Sequence, residues 1–406
     1  MFLLDFRCHS RFSPSIGFGC AMVFLAGLLG CSGEKIEFRV NFLHTASAMS
    51  DSDEPEIRSM AQQASQAATE LLGPIDAPEW PADIESVVDM VKVRRSAGPV
   101  GRDQSKVENG LFRKHCVQCH GLSGDGFGPA AALLAPYPRD FRRGSFKFKS
   151  TPIGRKPTHA DIVKTLENGL PGTAMPAFRT LNESEEFAKD VDALAHYVRF
   201  LAIRGEWERR VLVALANGDS QQGHRDLLIR VANDWREADS HAVAVPEWKR
   251  LSETELQASI ARGKELFQSE LTACSKCHGV NADGKGISQD YDDWTKDWTI
   301  RAGIDPANKA EWKTMKKDGA LKPVLDPARN LHLGVFRGGS TRQDIYTRLV
   351  VGIEGSPMPA VARKQNDNPG LTEENILDLV EYVLSVSSLP VSGPAPTGEV
   401  KDERSL

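Results

Sequence analysis

The sequence has little cysteine, seven residues in 406, and no two of them are left over for a disulfide. Cys8 and Cys20 lie in an N-terminal leader, Cys31 ends it, and the other four fall in two tight clusters. Without a disulfide staple, each domain needs a filled core or another cross-link. A net positive charge is also lacking. A formal net charge of −5 argues against a nucleic-acid binder, which needs a basic surface to neutralise phosphates. No apolar run is long enough for a permanent membrane span: the longest, residues 16–30, falls short of the roughly 20 residues a helix needs to cross a bilayer. With 40% hydrophobic and 26% charged residues the remainder is ordinary for a globular protein, and its length predicts two or three domains.

The four clustered cysteines carry the strongest signal. Cys116-Val-Gln-Cys119-His120 and Cys274-Ser-Lys-Cys277-His278 are two copies of one five-residue pattern. On a helix, positions i, i+3 and i+4 share a face, so two thiols and an imidazole converge. This is the attachment pattern of a c-type haem: the thiols add to the two vinyl groups of the porphyrin, and the histidine ligates the iron. Chance does not supply two such patterns in a chain with seven Cys and ten His. Two covalent haem c groups are expected, tethered by Cys116, Cys119, Cys274 and Cys277, with His120 and His278 on the irons.

The leader joins basic residues (Arg7, Arg11) to a short apolar run and then small residues, the pattern of an export signal. Leu28-Leu29-Gly30-Cys31 resembles the bacterial lipobox, which implies cleavage of residues 1–30, acylation of Cys31, and a protein held on a membrane and facing the periplasm. Residues 31–103 read as an acidic spacer, part disordered and part helical. Nine acidic residues between 50 and 85 face a single basic one, Arg58, and four prolines interrupt the stretch. Within it, Ile84, Val87, Val88 and Val91 recur at helical spacing.

Gly110-Leu-Phe-Arg-Lys-His-Cys-Val-Gln-Cys-His-Gly121 resembles the entry to a class I cytochrome c domain. The resemblance implies an all-α fold for residues 104–204, entered by a helix from about Ser105, and a methionine as the second axial ligand. Gly169-Leu-Pro-Gly-Thr-Ala-Met175-Pro-Ala-Phe178 fits that loop. It also implies a proline carbonyl accepting the histidine's other N–H, for which Pro129 is the candidate, a plain turn proline being the alternative. A closing helix carries Val191, Leu194, Ala195, Val198, Leu201 and Ala202 on one stripe, with Tyr197 expected against Phe112. His115, His159 and His196 are read as surface or core residues. Eight basic residues against three acidic ones between 136 and 168 mark a patch that either steers an acidic partner or neutralises haem carboxylates.

Residues 205–251 read as a helical connector, and residues 252–390 as a second cytochrome c domain. Asp344-Ile345 and Gly352-Ile-Glu-Gly-Ser-Pro-Met358-Pro-Ala360 match Asp161-Ile162 and residues 169–177 at a constant offset of 183, which duplication explains. Met358 is then the second copy's axial methionine, and Tyr382 takes the place of Tyr197. No proline follows His278 in the position of Pro129. An insertion, 291–323, carries Trp294, Trp298 and Trp312, and residues 391–406 read as a disordered tail.

The expectation is an all-α protein of two class I cytochrome c domains, passing single electrons between periplasmic redox partners such as a cytochrome, a cupredoxin, an oxidase or a reductase. A subunit of a larger respiratory complex is the alternative. Two matched methionine loops argue against a dihaem peroxidase, and no signalling domain is visible that would make the chain a haem-based sensor.

Overall fold

The computed structural model describes residues 38–49, 52–98, 110–180, 185–218, 223–288, 290–292, 305, 307–313, 316, 320–364 and 370–387. The leader, Cys31, the helix start near Ser105, Trp294, Trp298 and the tail lie outside the described residues. Every described element of any length is helical: α1 (Phe42–Ala48), α2 (Glu54–Leu72), α3 (Met90–Ala97), α4 (Leu111–His115), α5 (Val117–His120), α6 (His159–Asn168), α7 (Glu185–Ala216), α8 (His224–Arg236), α9 (Glu253–Gln268), α10 (Cys274–His278), α11 (Lys309–Lys313), α12 (Arg342–Val351) and α13 (Glu373–Val386). Extended pairing among the described residues is confined to two isolated bridges, Tyr291 with Leu325 and Arg363 with Leu371. Among those same residues no helix is long and apolar enough to cross a membrane.

Helix starts follow local chemistry. Thr158, Thr341, Ser252 and Thr372 each accept a backbone N–H with the side-chain oxygen while Asp161, Asp344, Glu255 and Asn375 reach back, four capping boxes. The boxes on α6 and α12 are the same box in the two copies. They set the helices that lead into the two methionine loops.

The first core is larger than a single cytochrome domain requires. Leu72, Val93 and Ala97, from the stretch composition marks as a spacer, are buried with Phe112, Val117 and the α7 stripe Val191, Leu194, Ala195, Val198 and Leu201. Arg204 is buried on α7 and donates to the carbonyls of Ala68 (2.9 Å) and Gly73 (2.6 Å) at the C-terminal end of α2. The acidic residues of α2 lie on its outer face, while Ile57, Ala61, Ala64, Ala68 and Leu72 face inward. Small side chains let this helix come close to α7, and composition alone hides the stripe. α7 also runs past residue 204 without a break to Ala216. It folds back through α8, where the Trp207 indole donates to the His224 carbonyl at 2.7 Å. The connector is thus a continuation of the first domain.

Phe112 and Tyr197 meet edge-on at 5.2 Å, and their counterparts Phe267 and Tyr382 meet at the same 5.2 Å. In the second copy Gly263 permits the crossing of α9 and α13: a Cβ there would lie 2.8 Å from the Tyr382 Cβ and collide with the Asp378 carbonyl. Gly263→Ala should therefore destabilise the second domain by about 1–3 kcal/mol through overpacking. Chemical denaturation of the full chain, followed by near-UV signal, checks this; an unchanged midpoint would mean that the crossing relaxes freely.

Candidate haem sites

The two attachment segments are built alike. α5 and α10 each end at a glycine with positive φ, Gly121 and Gly279, and the following turn folds back on the motif. Gly126 N–H donates to the His120 carbonyl (2.9 Å) and Gly128 N–H to that of Cys119 (3.0 Å); Gly284 and Gly286 do the same for His278 (2.8 Å) and Cys277 (3.2 Å). Asp125 and Asp283 accept from Phe127 N–H and Lys285 N–H inside these turns. The cysteines and histidines are thus held by matching sets of backbone bonds.

The imidazole partner differs from the proline expected by resemblance. His120 Nδ1 lies 3.0 Å from the Arg139 carbonyl, and His278 Nδ1 lies 3.0 Å from the Arg329 carbonyl. A carbonyl only accepts, so each Nδ1 carries the proton, and in the neutral ring each Nε2 keeps a bare lone pair. Burial holds both imidazoles below the usual histidine pKa, which keeps them neutral, as iron ligation requires. Pro129 therefore stands as a turn residue. The missing proline after His278 costs nothing, because the acceptor lies 51 residues downstream. One signal in the sequence marks these acceptors. Arg139-Asp-Phe-Arg-Arg-Gly-Ser-Phe-Lys147 and Arg329-Asn-Leu-His-Leu-Gly-Val-Phe-Arg337 share a pattern, displaced from the motif offset by the intervening insertion.

Glycine is required where these segments approach the turn. A Cβ on Gly126 would lie 2.7 Å from the Pro138 carbonyl and 2.9 Å from Asp140 N; on Gly284 it would lie 2.9 Å from both the Ala328 carbonyl and Asn330 N. Both residues also have positive φ.

The methionine loops match as well. Leu170 N–H donates to the Met175 carbonyl (3.1 Å) and Ile353 N–H to that of Met358 (3.0 Å), while Thr173 Oγ1 and Ser356 Oγ accept from the N–H of Met175 and Met358. In the first domain Cys116, Cys119, His120 and Met175 line one cavity of about 1460 Å³, its open mouth included. In the second, Cys274 and Met358 pack against the same core as Phe267 and Tyr382.

The residues present suit a covalently held macrocycle. All four motif cysteines are unpaired, and burial pushes the Cys116 thiol up to about 12. A buried thiol without a protein partner, beside a bare imidazole nitrogen and a thioether in an apolar cavity, is a donor set for haem c. His159, Asp192 and His196 form a second ligand-like group, but it is closed on itself. His159 Nε2 donates to Asp192 (2.7 Å), Lys92 pairs with the same carboxylate (2.6 Å), and His196 Nδ1 accepts from Asp89 N–H (3.2 Å). His115 packs edge-on against Phe178 at 6.0 Å.

Two family models match where the geometry repeats: the cytochrome c family at residues 260–387, and the cbb3-type cytochrome c oxidase subunit III family at residues 107–198. The chain carries two cytochrome c domains. It therefore holds two covalent haem c groups with iron, and electron transfer to redox partners is its chemistry. No curated protein matches this cytochrome in sequence. Among solved structures, a chain of the reducing HAO-like protein complex of Kuenenia stuttgartiensis is similar at 24% identity and a TM-score of 0.41, covering 68% of this chain and 94% of that one.

Gly126→Ala should push the Arg139 segment away from His120. The expected results are loss of the downfield Nδ1–H resonance of His120 in the proton spectrum of the haem-loaded protein, and about 1–3 kcal/mol of lost stability. A retained resonance would show that the carbonyl does not depend on this approach.

Proposed function

We propose that this dihaem cytochrome is a membrane-tethered electron carrier that works between periplasmic redox proteins. The observation that carries the reading is the first-domain cavity, where both motif thiols, the proximal imidazole and the loop methionine converge. When bound, haem supplies reversible one-electron exchange at iron. His120 with Met175, and His278 with Met358, would hold the two irons from both sides. A neutral thioether favours the ferrous state and leaves no position open to small molecules, which suits a carrier and not a peroxidase. Cys31, acylated after removal of residues 1–30, would anchor the chain, each buried CH2 of the acyl chains contributing about 0.8 kcal/mol. The leader pattern supports export.

A second reading has a specific observation behind it. The first domain matches a family described as a subunit of cbb3-type cytochrome c oxidase, which favours a cytochrome bound permanently within a respiratory complex. Co-purification that survives high salt would distinguish this from a free carrier.

The test uses oxidised protein isolated from membranes. Two equivalents per chain of the red-region sulfur-to-iron charge-transfer band, with no carbon monoxide binding on reduction, are expected of a carrier with two His/Met sites. One equivalent, with carbon monoxide binding to one haem, would instead indicate an open iron and a catalytic or sensing site. Met175→Ala and Met358→Ala should each remove one band equivalent and lower one potential; a variant that leaves both unchanged removes that methionine from the iron.

A further inference from the structure

The described residues from Phe38 onward group as one compact unit, and the two domains meet along a charged seam. Lys147 of the first domain pairs with Asp292 (2.6 Å) and Asp326 (3.1 Å) of the second. Lys149 pairs with Glu354, and Lys164 with Asp344. Arg348 crosses the seam to donate to the carbonyls of Lys147 and Lys149, both at 3.2 Å. The base of the insertion delivers part of this contact: Asp292 N–H bonds to the Val324 carbonyl and Asp326 N–H to that of Asp290.

The seam reaches the first-domain haem cavity, whose wall includes Asp292, Val324 and Arg337 of the second domain as well as Lys147 of the first. Lys147 and Arg337 hold the same place in the two aligned stretches, so each copy sends its own version of one cation to a single cavity. Their surroundings differ. Lys147 is paired with both nearby aspartates, whereas the Nε of Arg337, and Nη2 of the neighbouring Arg329, are buried with no hydrogen-bond partner among the described residues. Burial, with Arg329 adding to it, pushes the Arg337 guanidinium down to about 10 against the opposing pull of Asp326 and Asp292, neither of which hydrogen-bonds to it. A half-buried guanidinium whose Nε is buried and unanswered is costly unless an acceptor meets it. Haem brings two propionate carboxylates, which a guanidinium suits by its planar fork of donors.

We propose that Arg337 of the second domain holds a propionate of the first domain's haem, so that the first site is complete only when the two domains are docked. This rests on the reading that haem c occupies the cavity lined by Cys116, His120 and Met175. Arg337 is a positioning and charge-compensating residue, and it couples the environment of one haem to the folding of the other domain.

The test is a spectroelectrochemical titration of the full haem-loaded chain. Removing a cation beside an iron centre stabilises the oxidised, more positive state, so Arg337→Gln should shift the first-domain wave downward and leave the second in place. Arg337→Lys, which keeps the charge, should restore most of the shift. A Met358→His background displaces the second-domain wave and so assigns the two. If that background moves neither wave, the ligand reading has failed for Met358, and a Cys274→Ser/Cys277→Ser chain, which lacks the second covalent haem, assigns the first-domain wave instead. Lys164→Gln serves as the control, since it removes a docking pair outside the cavity. Hydrogen exchange at residues 146–150 reports docking in every variant. A first-domain wave unmoved by Arg337→Gln overturns the proposal. Equal movement of both waves, or an equal shift from Lys164→Gln, also overturns it.

Discussion

The hydrogen bond from each proximal histidine to an arginine carbonyl is the contact on which the rest of the architecture depends. It fixes the tautomer of His120 and His278 and leaves Nε2 bare toward the iron position. It requires the Arg139 and Arg329 segments to pass so close to the preceding turn that only glycine fits at 126 and 284. The same two arginines point the other way into the domain seam. A Cβ placed on Gly355 in the second methionine loop would have Arg139 Nη1 at 3.7 Å, and one on Gly172 in the first would have Arg329 Nη1 at 3.8 Å. Each domain therefore offers a carbonyl to its own histidine and a guanidinium to the other domain's methionine loop.

That reciprocity changes the meaning of the basic stretch between 136 and 168. In sequence it looks like a surface for steering an acidic partner. In the fold, Lys147, Lys149 and Lys164 are engaged with second-domain carboxylates, and Lys156 pairs with Glu206 at 2.7 Å on α7. Charge that appears unbalanced along the first domain is balanced across the molecule, because the compensating Asp292, Asp326, Asp344 and Glu354 lie more than a hundred residues downstream. The seam instead ties the two haem-binding domains to each other.

What could be read from the sequence was whatever repeats at short range. The two Cys-x-x-Cys-His motifs, the methionine loops at an offset of 183, and the Phe112–Tyr197 contact all rest on local spacing or on helix stripes, and the geometry at each follows that spacing. The histidine's acceptor did not follow, because Pro129 is near in sequence whereas Arg139 and Arg329 arrive through a loop of different length in each copy. The packing of α2 onto α7 was also hidden. Its inward face is mostly alanine, so neither hydropathy nor charge separates it from a solvated spacer, and Arg204 reveals the contact only once its acceptors at the end of α2 are known. Side-chain traffic between domains is the least legible of all, since no local pattern records which lysine meets which aspartate.

Duplication supplied one ligand frame twice, and packing has since made the copies unequal. Phe141 lies stacked on His120, with centroids 4.5 Å apart and planes 19° from parallel, whereas the aligned residue of the second copy is Leu331, which has no ring to stack. The first domain is wrapped further by α2, α3 and the long α7, and its cavity is walled in part by the second domain; the second has the shorter frame of α9, α12 and α13. Burial, hydrogen bonding and nearby charge are the terms by which a protein sets the potential of a fixed iron–ligand set. Burial and the residues packed around the histidine differ between these sites, while the hydrogen bonds to the two motif histidines match. A molecule with two identical sites would have no internal preference for where its electron rests. Here the two surroundings differ by a phenylalanine stacked on the motif histidine of the first copy and by the helical wrap around that domain.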